Sequence, residues 1–142
     1  MFPMGLFSWD DIYSLEHPQI DHEHQALFAM AEELHQAMLN GSGAAALGGL
    51  LNNLINYTQV HFSHEEALMR RHGYPGMAAH VAEHRTLAEQ VVDLQKKYAA
   101  GKLTISMETM HFLRDWLDRH IRRSDQLVAQ HIRSHEGMLS RA

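Results

Sequence analysis

Five histidines and two carboxylates sit at matched distances from the glycine-containing turns of this chain. That match constrains the fold more than any other feature. His24 lies 18 residues before Ser42 and His61 lies 19 after it; His84 lies 18 before Lys102 and His120 lies 18 after it. At 1.5 Å of rise per residue each is roughly 27 Å from its turn if the segments are helical. In an antiparallel bundle, equal counts on either side of a turn mean equal heights. His24, then His61 with Glu65, then His80 with His84, then His120 with Asp125 therefore converge at one end of a four-helix core, around a short turn near Gly73.

The helical reading rests on periodicity. Apolar residues recur every three to four positions in four long segments, and no alternating strand pattern intervenes. Pro18 suits a first helical turn, where its missing N–H is no loss. The first helix is expected over 18–39, with Ile20, Leu27, Phe28, Ala31, Leu34 and Met38 on one stripe, ending at Asn40-Gly41-Ser42-Gly43. The second is expected over 44–71 with Leu47, Leu50, Leu51, Leu54, Leu68 and Met69 inward, stopped by His72-Gly73-Tyr74-Pro75-Gly76. The third runs over 76–99 with Leu87, Val91 and Leu94 as core. The fourth runs from Thr104 to at least Asp125, with Leu113, Trp116, Leu117 and Leu127 inward. Short turns between long amphipathic helices imply antiparallel neighbours, hence an all-α, up-down-up-down four-helix bundle. Residues 1–17 read as an irregular N-terminal arm whose Phe2, Leu6, Phe7, Trp9 and Ile12 pack across one end. Residues 18–125 form the bundle, and 126–142 a divergent tail or helix extension, the whole being one domain of 142 residues.

Composition narrows the chemistry. Thirteen histidines are an excess, while cysteine is absent, which removes disulfides, thiolate zinc sites and iron–sulfur clusters. A net charge of −5 without a basic stripe argues against nucleic acid and against a membrane surface. The first residues have no basic n-region and no long apolar stretch, so a cytoplasmic protein is expected.

A single pair such as His80 and His84 proves little. Two side chains four apart share a helix face, but with histidine this frequent about one such pair arises by chance. His131 and His135 have the same spacing and do not share the common height. His22, His35, His64, His111 and His131 all fail the height or face test and are expected on the surface or at the bundle ends. The coincidence of four helices at one height is what carries the site. His120 and Asp125 are five apart, which turns Asp125 about 140° away in an ideal α-helix. Either the helix widens there into a π-type turn or Asp125 reaches in from the edge of the stripe.

Imidazoles and carboxylates without thiolate suit iron, zinc, manganese or cobalt. Seven donors exceed what one zinc ion takes, so two ions about 3–4 Å apart are expected. Glu65 and Asp125 would bridge them, because a carboxylate spans two ions and an imidazole binds one. His80, His84 and His120 would complete one ion and His24 and His61 the other, leaving the second an open position. A histidine-rich donor set is softer and less anionic than the carboxylate-rich di-iron sites, and should favour binding oxygen over cleaving it. Phe62, Trp116, Leu117 and Ile121 surround the open position with apolar surface and offer no acid or base.

On these residues the chain resembles bacterial hemerythrins. The resemblance is carried by Trp9-Asp10, Ile20-Asp21-His22-Glu23-His24, His61-Phe62-Ser63-His64-Glu65-Glu66, His72-Gly73-Tyr74-Pro75 with His80 and His84, and Trp116-Leu117-Asp118-Arg119-His120-Ile121 with Asp125. It spans residues 9–125 and fills all seven ligand positions in order. It implies two iron ions with a bridging oxo or hydroxo group and reversible binding of dioxygen, in a carrier, store or delivery protein rather than an enzyme. Glu23 stands where members often have Gln, and Glu16 where the turn often carries Gly. The tail from Gln126 lacks the aromatic, proline-containing ending common in the family. The alternatives are an oxygen or redox sensor, or an enzyme turning over nitric oxide or peroxide at the same irons. The partner expected is an oxygen-consuming protein, and the charge pattern of the outer faces suits a monomer.

Overall fold

Pro18–Leu39 (α1), Ala44–Arg71 (α2) and Met77–Ala99 (α3) are three long helices, and a fourth rod runs from Met107 to Arg141. That rod has three parts: Met107–Arg119 (α4), a π-helical segment His120–Asp125, and Gln126–Arg141 (α5). The computed structural model describes residues 6–41, 44–100 and 107–141, and contains no strand among them. Phe2, Ser42, Gly43, Gly101, Lys102 and Thr104 lie outside the described residues. The architecture is the all-α four-helix bundle that the periodicity predicts, and the bounds of α1 and α2 coincide with the expected ones.

Local chemistry sets the ends that matter for the site. The His17 ring accepts the Ile20 N–H at 3.2 Å, and Pro18 follows in the first turn of α1. At the other end of α2, Gly73 adopts φ +59°, the Tyr74 N–H reaches the Met69 carbonyl at 2.9 Å, and the Gly73 N–H reaches Arg70 at 3.3 Å. This is a Schellman closure, which a side chain at position 73 would strain. It turns the chain so tightly that Glu65 and His80 end at the same height.

Aliphatic side chains fill the centre and far half of the bundle: Leu27, Leu34, Leu51, Leu54, Leu87, Met110 and Leu113 are all buried. Leu47, Leu50, Leu68, Leu94, Trp116 and Leu117 are partly buried at its margin.

Three expectations are corrected. Leu127 points outward, 56% exposed, and Val128, Ala129 and Ile132 take the buried face instead. The π segment is the cause: it inserts one residue into the helical phase, so every inward position beyond it moves on by one. The arm does not cap one end of the bundle. It runs back along α1: the Phe7 N–H binds Glu32, Trp9 and Tyr13 pack on Phe28, and the Tyr13 hydroxyl donates to Asp118 at 2.8 Å. Within that arm Ile12 is exposed. His35, placed at the surface or a bundle end, is buried beneath the Phe7 ring.

Two further features distinguish the ends of the chain. Glu16 takes φ +56°, a left-handed conformation that glycine adopts without cost and glutamate does not. The helical extension α5 is fastened to the short turn by histidines. His131 Nε2 donates to the His72 carbonyl at 2.7 Å, and the Nδ1 atoms of His72 and His135 lie 2.8 Å apart.

Candidate metal centre

Seven side chains from four rods meet at the height of the short turn, and all are nearly inaccessible: His24, His61, Glu65, His80, His84, His120 and Asp125 are each 6% exposed or less. These are the seven that the turn-to-residue counts select. Their donor atoms form two groups. Glu65, His80, His84, His120 and Asp125 make one; His24, His61, Glu65 and Asp125 make the other.

The two carboxylates belong to both groups because each divides its oxygens between them. Glu65 Oε1 faces His80 Nε2 at 2.5 Å and His84 Nε2 at 3.2 Å, while Oε2 faces His61 Nε2 at 3.3 Å and His24 Nε2 at 3.9 Å. Asp125 Oδ1 faces His80 Nε2 at 2.9 Å and His120 Nε2 at 3.1 Å, while Oδ2 faces His24 Nε2 at 3.1 Å. All five imidazoles point Nε2 inward. The π segment resolves the five-residue spacing: widening the helix over His120–Asp125 brings Asp125 back onto the His120 face.

These atoms lie close together without bonding one another well. His24 Nε2, Glu65 Oε2, His84 Nε2, His120 Nε2 and both oxygens of Asp125 are buried and lack an aligned hydrogen-bond partner. A buried polar atom left so costs about 1–3 kcal/mol. Donors that converge on the space between them, rather than on each other, fit a bound cation. Without one, the site must balance two buried carboxylates with imidazolium. Burial opposes the charge of His61 and His80, but the carboxylates beside them prevail and raise His61 to about 9 and His80 to about 10. Burial likewise penalises charge on Glu65 and Asp125, yet the surrounding imidazoles hold both carboxyls below their usual range.

A model of the hemerythrin HHE cation binding domain matches residues 17–132. The chain belongs to that hemerythrin family. A bacteriohemerythrin of Methylococcus capsulatus is 40% identical over 75% of this chain and 81% of its own length. One from Stenotrophomonas maltophilia is 33% identical over 97% and 89%. Myohemerythrin-1 of Phascolopsis gouldii is 27% identical over 84% and 88%. The crystal structure of a wild-type hemerythrin superposes with a TM-score of 0.83 at 35% identity, covering 88% of this chain and 96% of that one.

Within this hemerythrin fold, three carboxylates that the spacing argument overlooked complete the site. Glu23 meets His61 Nδ1 at 2.7 Å, Glu66 meets His84 Nδ1 at 3.2 Å, and Glu83 meets His120 Nδ1 at 2.9 Å. Each stands one residue from an inward-facing donor on its own helix and acts on the imidazole of the next. An outer carboxylate fixes the Nδ1–H tautomer and frees Nε2 as a ligand. The sequence signal was there: Glu23 precedes His24, Glu66 follows Glu65 and Glu83 precedes His84. Glu23 also binds the exposed His64 at 2.9 Å and is lowered to about 2; burial opposes this, and the hydrogen bonds from the two imidazoles overcome it.

Beside the donors lies a small cavity of about 40 Å³. Leu27 and Thr58, each about one turn from His24 and His61, line it together with Phe62, Trp116 and Leu117. The Thr58 hydroxyl is spent on the Leu54 carbonyl at 2.7 Å, so the lining is effectively apolar. Phe62 stacks on His84 with ring centroids 3.8 Å apart and Trp116 on His120 at 4.5 Å. Ile121 is buried but does not line this cavity.

Proposed function

We propose that this chain binds dioxygen reversibly at a pair of non-haem iron ions, as an oxygen carrier, store or delivery protein. The observation that carries this reading is the division of the Glu65 and Asp125 oxygens between two histidine groups. A carboxylate so placed bridges two ions. His80, His84 and His120 would then hold one iron, and His24 and His61 the other, which keeps one position for a small ligand. Held by these residues, a pair of ferrous ions would supply the electrons for reversible oxygen binding.

The chain's own residues do the rest. Glu23, Glu66 and Glu83 hold three of the five imidazoles in the tautomer that presents Nε2. Phe62, Trp116 and Leu117 supply a dry space on one side of the donors. An apolar cavity of that size excludes ordered water and admits a diatomic molecule. Its lining offers no acid or base to move a proton, which favours binding over turnover. Ile121 is buried on the π segment and does not line this space. The same reading makes the chain a single-domain cytoplasmic monomer that hands oxygen to an oxygen-consuming protein. No helix among the described residues is long and apolar enough to cross a membrane.

An optical titration tests the function. Anaerobically reduced protein of known iron content is titrated with oxygen and then purged with argon. Visible absorption that grows with oxygen and fades on purging is expected. Irreversible oxidation on first contact would move the reading to an enzyme or a redox sensor.

A further inference from the structure

A surface groove of about 510 Å³ between α3 and the fourth rod opens onto the metal centre at His120. Ala82, Glu83 and Thr86 form one wall; Trp116, Arg119 and Arg123 form the other. His120 is the most exposed of the seven converging residues, at 6% against 4% or less for the others. The half-buried Trp116 ring stacks on it at 4.5 Å with the planes 15° apart. Continuous π contact thus leads from the groove to an imidazole of the five-donor group.

The charge of this groove departs from that of the whole protein. The chain carries −5 overall. Arg114 and Arg122 are paired with Asp115 and Asp118. Arg119 gives its Nε to the Asp115 carbonyl, and neither Arg119 nor Arg123 has a carboxylate partner among the described residues. The one acid in the groove, Glu83, is taken up by His120 at 2.9 Å and by the Ser124 hydroxyl at 2.7 Å. Two uncompensated guanidinium groups therefore flank the approach to His120.

We propose that this groove docks an acidic one-electron-donor protein, of the flavin or iron–sulfur class, and that electrons enter the metal centre there through Trp116 and His120. The proposal rests on the oxygen-binding reading above. Ferrous ions held there would lose electrons to oxygen, the oxidant, over repeated exposure and be left ferric. Restoring two ferric ions takes two electrons, one for each ion. Two donor molecules supply them, each oxidised by one electron, and no bond within the polypeptide is made or broken. Two features favour a protein over a small anion. Both guanidinium groups are exposed, and the groove is open, with no buried donor aimed into it. Two exposed positive charges beside an open groove suit the weak, electrostatically steered encounters typical of electron-transfer partners.

The test uses the iron-loaded ferric protein and reduced flavodoxin, an acidic flavoprotein, in a stopped-flow mixer. The bimolecular reduction rate is expected to fall as salt rises. The double variant Arg119→Glu, Arg123→Glu should lower it about tenfold at low salt and flatten the salt dependence. Calorimetry with oxidised flavodoxin should show weak binding that the double variant loses. Reduced riboflavin, a small reductant with no extended charged surface to dock, should reduce both proteins at nearly equal rates. Trp116→Leu should slow the limiting rate at saturating flavodoxin, and an unchanged limiting rate would remove Trp116 from the route. If a protein with two irons and reversible oxygen bands is reduced at a rate indifferent to salt and to charge reversal, the docking surface is wrong and the oxygen-binding reading stands. If iron or the oxygen bands are missing, both fail together.

Discussion

The two halves of this bundle are held together by different physics. In the far half Leu34, Leu51 and Met110 are fully buried and need nothing but one another. In the half beside the short turn, five imidazoles and two carboxylates occupy the same kind of interior position, and six of their inward-facing atoms find no aligned partner. The apolar half gains from burial whatever is bound. The polar half satisfies its buried groups only when a cation replaces the hydrogen bonds they lack. The fold is therefore carried from one end and completed by a ligand at the other. A tight Schellman turn and a π segment in the polar half hold its donors in register.

Changes at the two ends should separate stability from metal binding. The largest effect belongs to His80, which faces both Glu65 and Asp125. In His80→Ala, iron per chain should fall well below two, and the melting temperature should become the same with and without added iron. Full iron content with an iron-dependent melting temperature would show that His80 is not a ligand. In the apolar half, Leu51→Ala should cost about 2–5 kcal/mol in denaturant unfolding while iron per chain stays the same. A loss of iron in that variant would mean that the halves are not separable.

A smaller effect is expected one layer out from the donors. Glu83→Gln keeps the shape and removes the charge facing His120. It should weaken iron binding about 10–100-fold in competition with a chelator and leave unfolding of the metal-free protein nearly unchanged. An unaltered iron affinity would reduce Glu83 to a surface residue.

The smallest effect lies in the link between α5 and the short turn. Burial lowers the pKa of His72, with His135, Arg71 and His131 adding repulsion and Glu136 opposing it. A histidine whose folded pKa lies below its unfolded value of about 6.5 binds fewer protons when folded. Its contribution to stability is present above that value and is lost as the pH falls below it. Two Nδ1 atoms 2.8 Å apart can share one proton between them but cannot each carry one. Amide protection factors over residues 131–137, with the intrinsic pH dependence of exchange divided out, should thus be lower at pH 5.5 than at pH 7.5, and His135→Gln should shrink the difference. Equal protection factors at both values would rule out the His72–His135 link as the fastening.

Much of this molecule can be read from its residues, because the strongest signals are local and repeated. Pro18 and Gly73 mark helix ends, and the seven donors announce a shared height through simple counts. What the counts missed depends on contacts between elements. Glu23, Glu66 and Glu83 act across helix interfaces on imidazoles of another rod. The arm has no periodicity to reveal that it runs back along α1. Leu127 falls inward only if an unbroken helical period runs through His120 and Asp125. Their spacing of five was itself the sign of a one-residue shift, and Val128 and Ile132 follow once that shift is applied.

The central claim is that two ions share Glu65 and Asp125. Crystallography of the iron-loaded protein, with anomalous scattering collected at the iron edge, tests it most directly. Two iron peaks per chain are predicted, about 3–4 Å apart. One should lie among His80, His84, His120, Glu65 and Asp125, and the other among His24, His61 and the same two carboxylates. A single peak, or iron seated on His72, His131 and His135 instead, would contradict it.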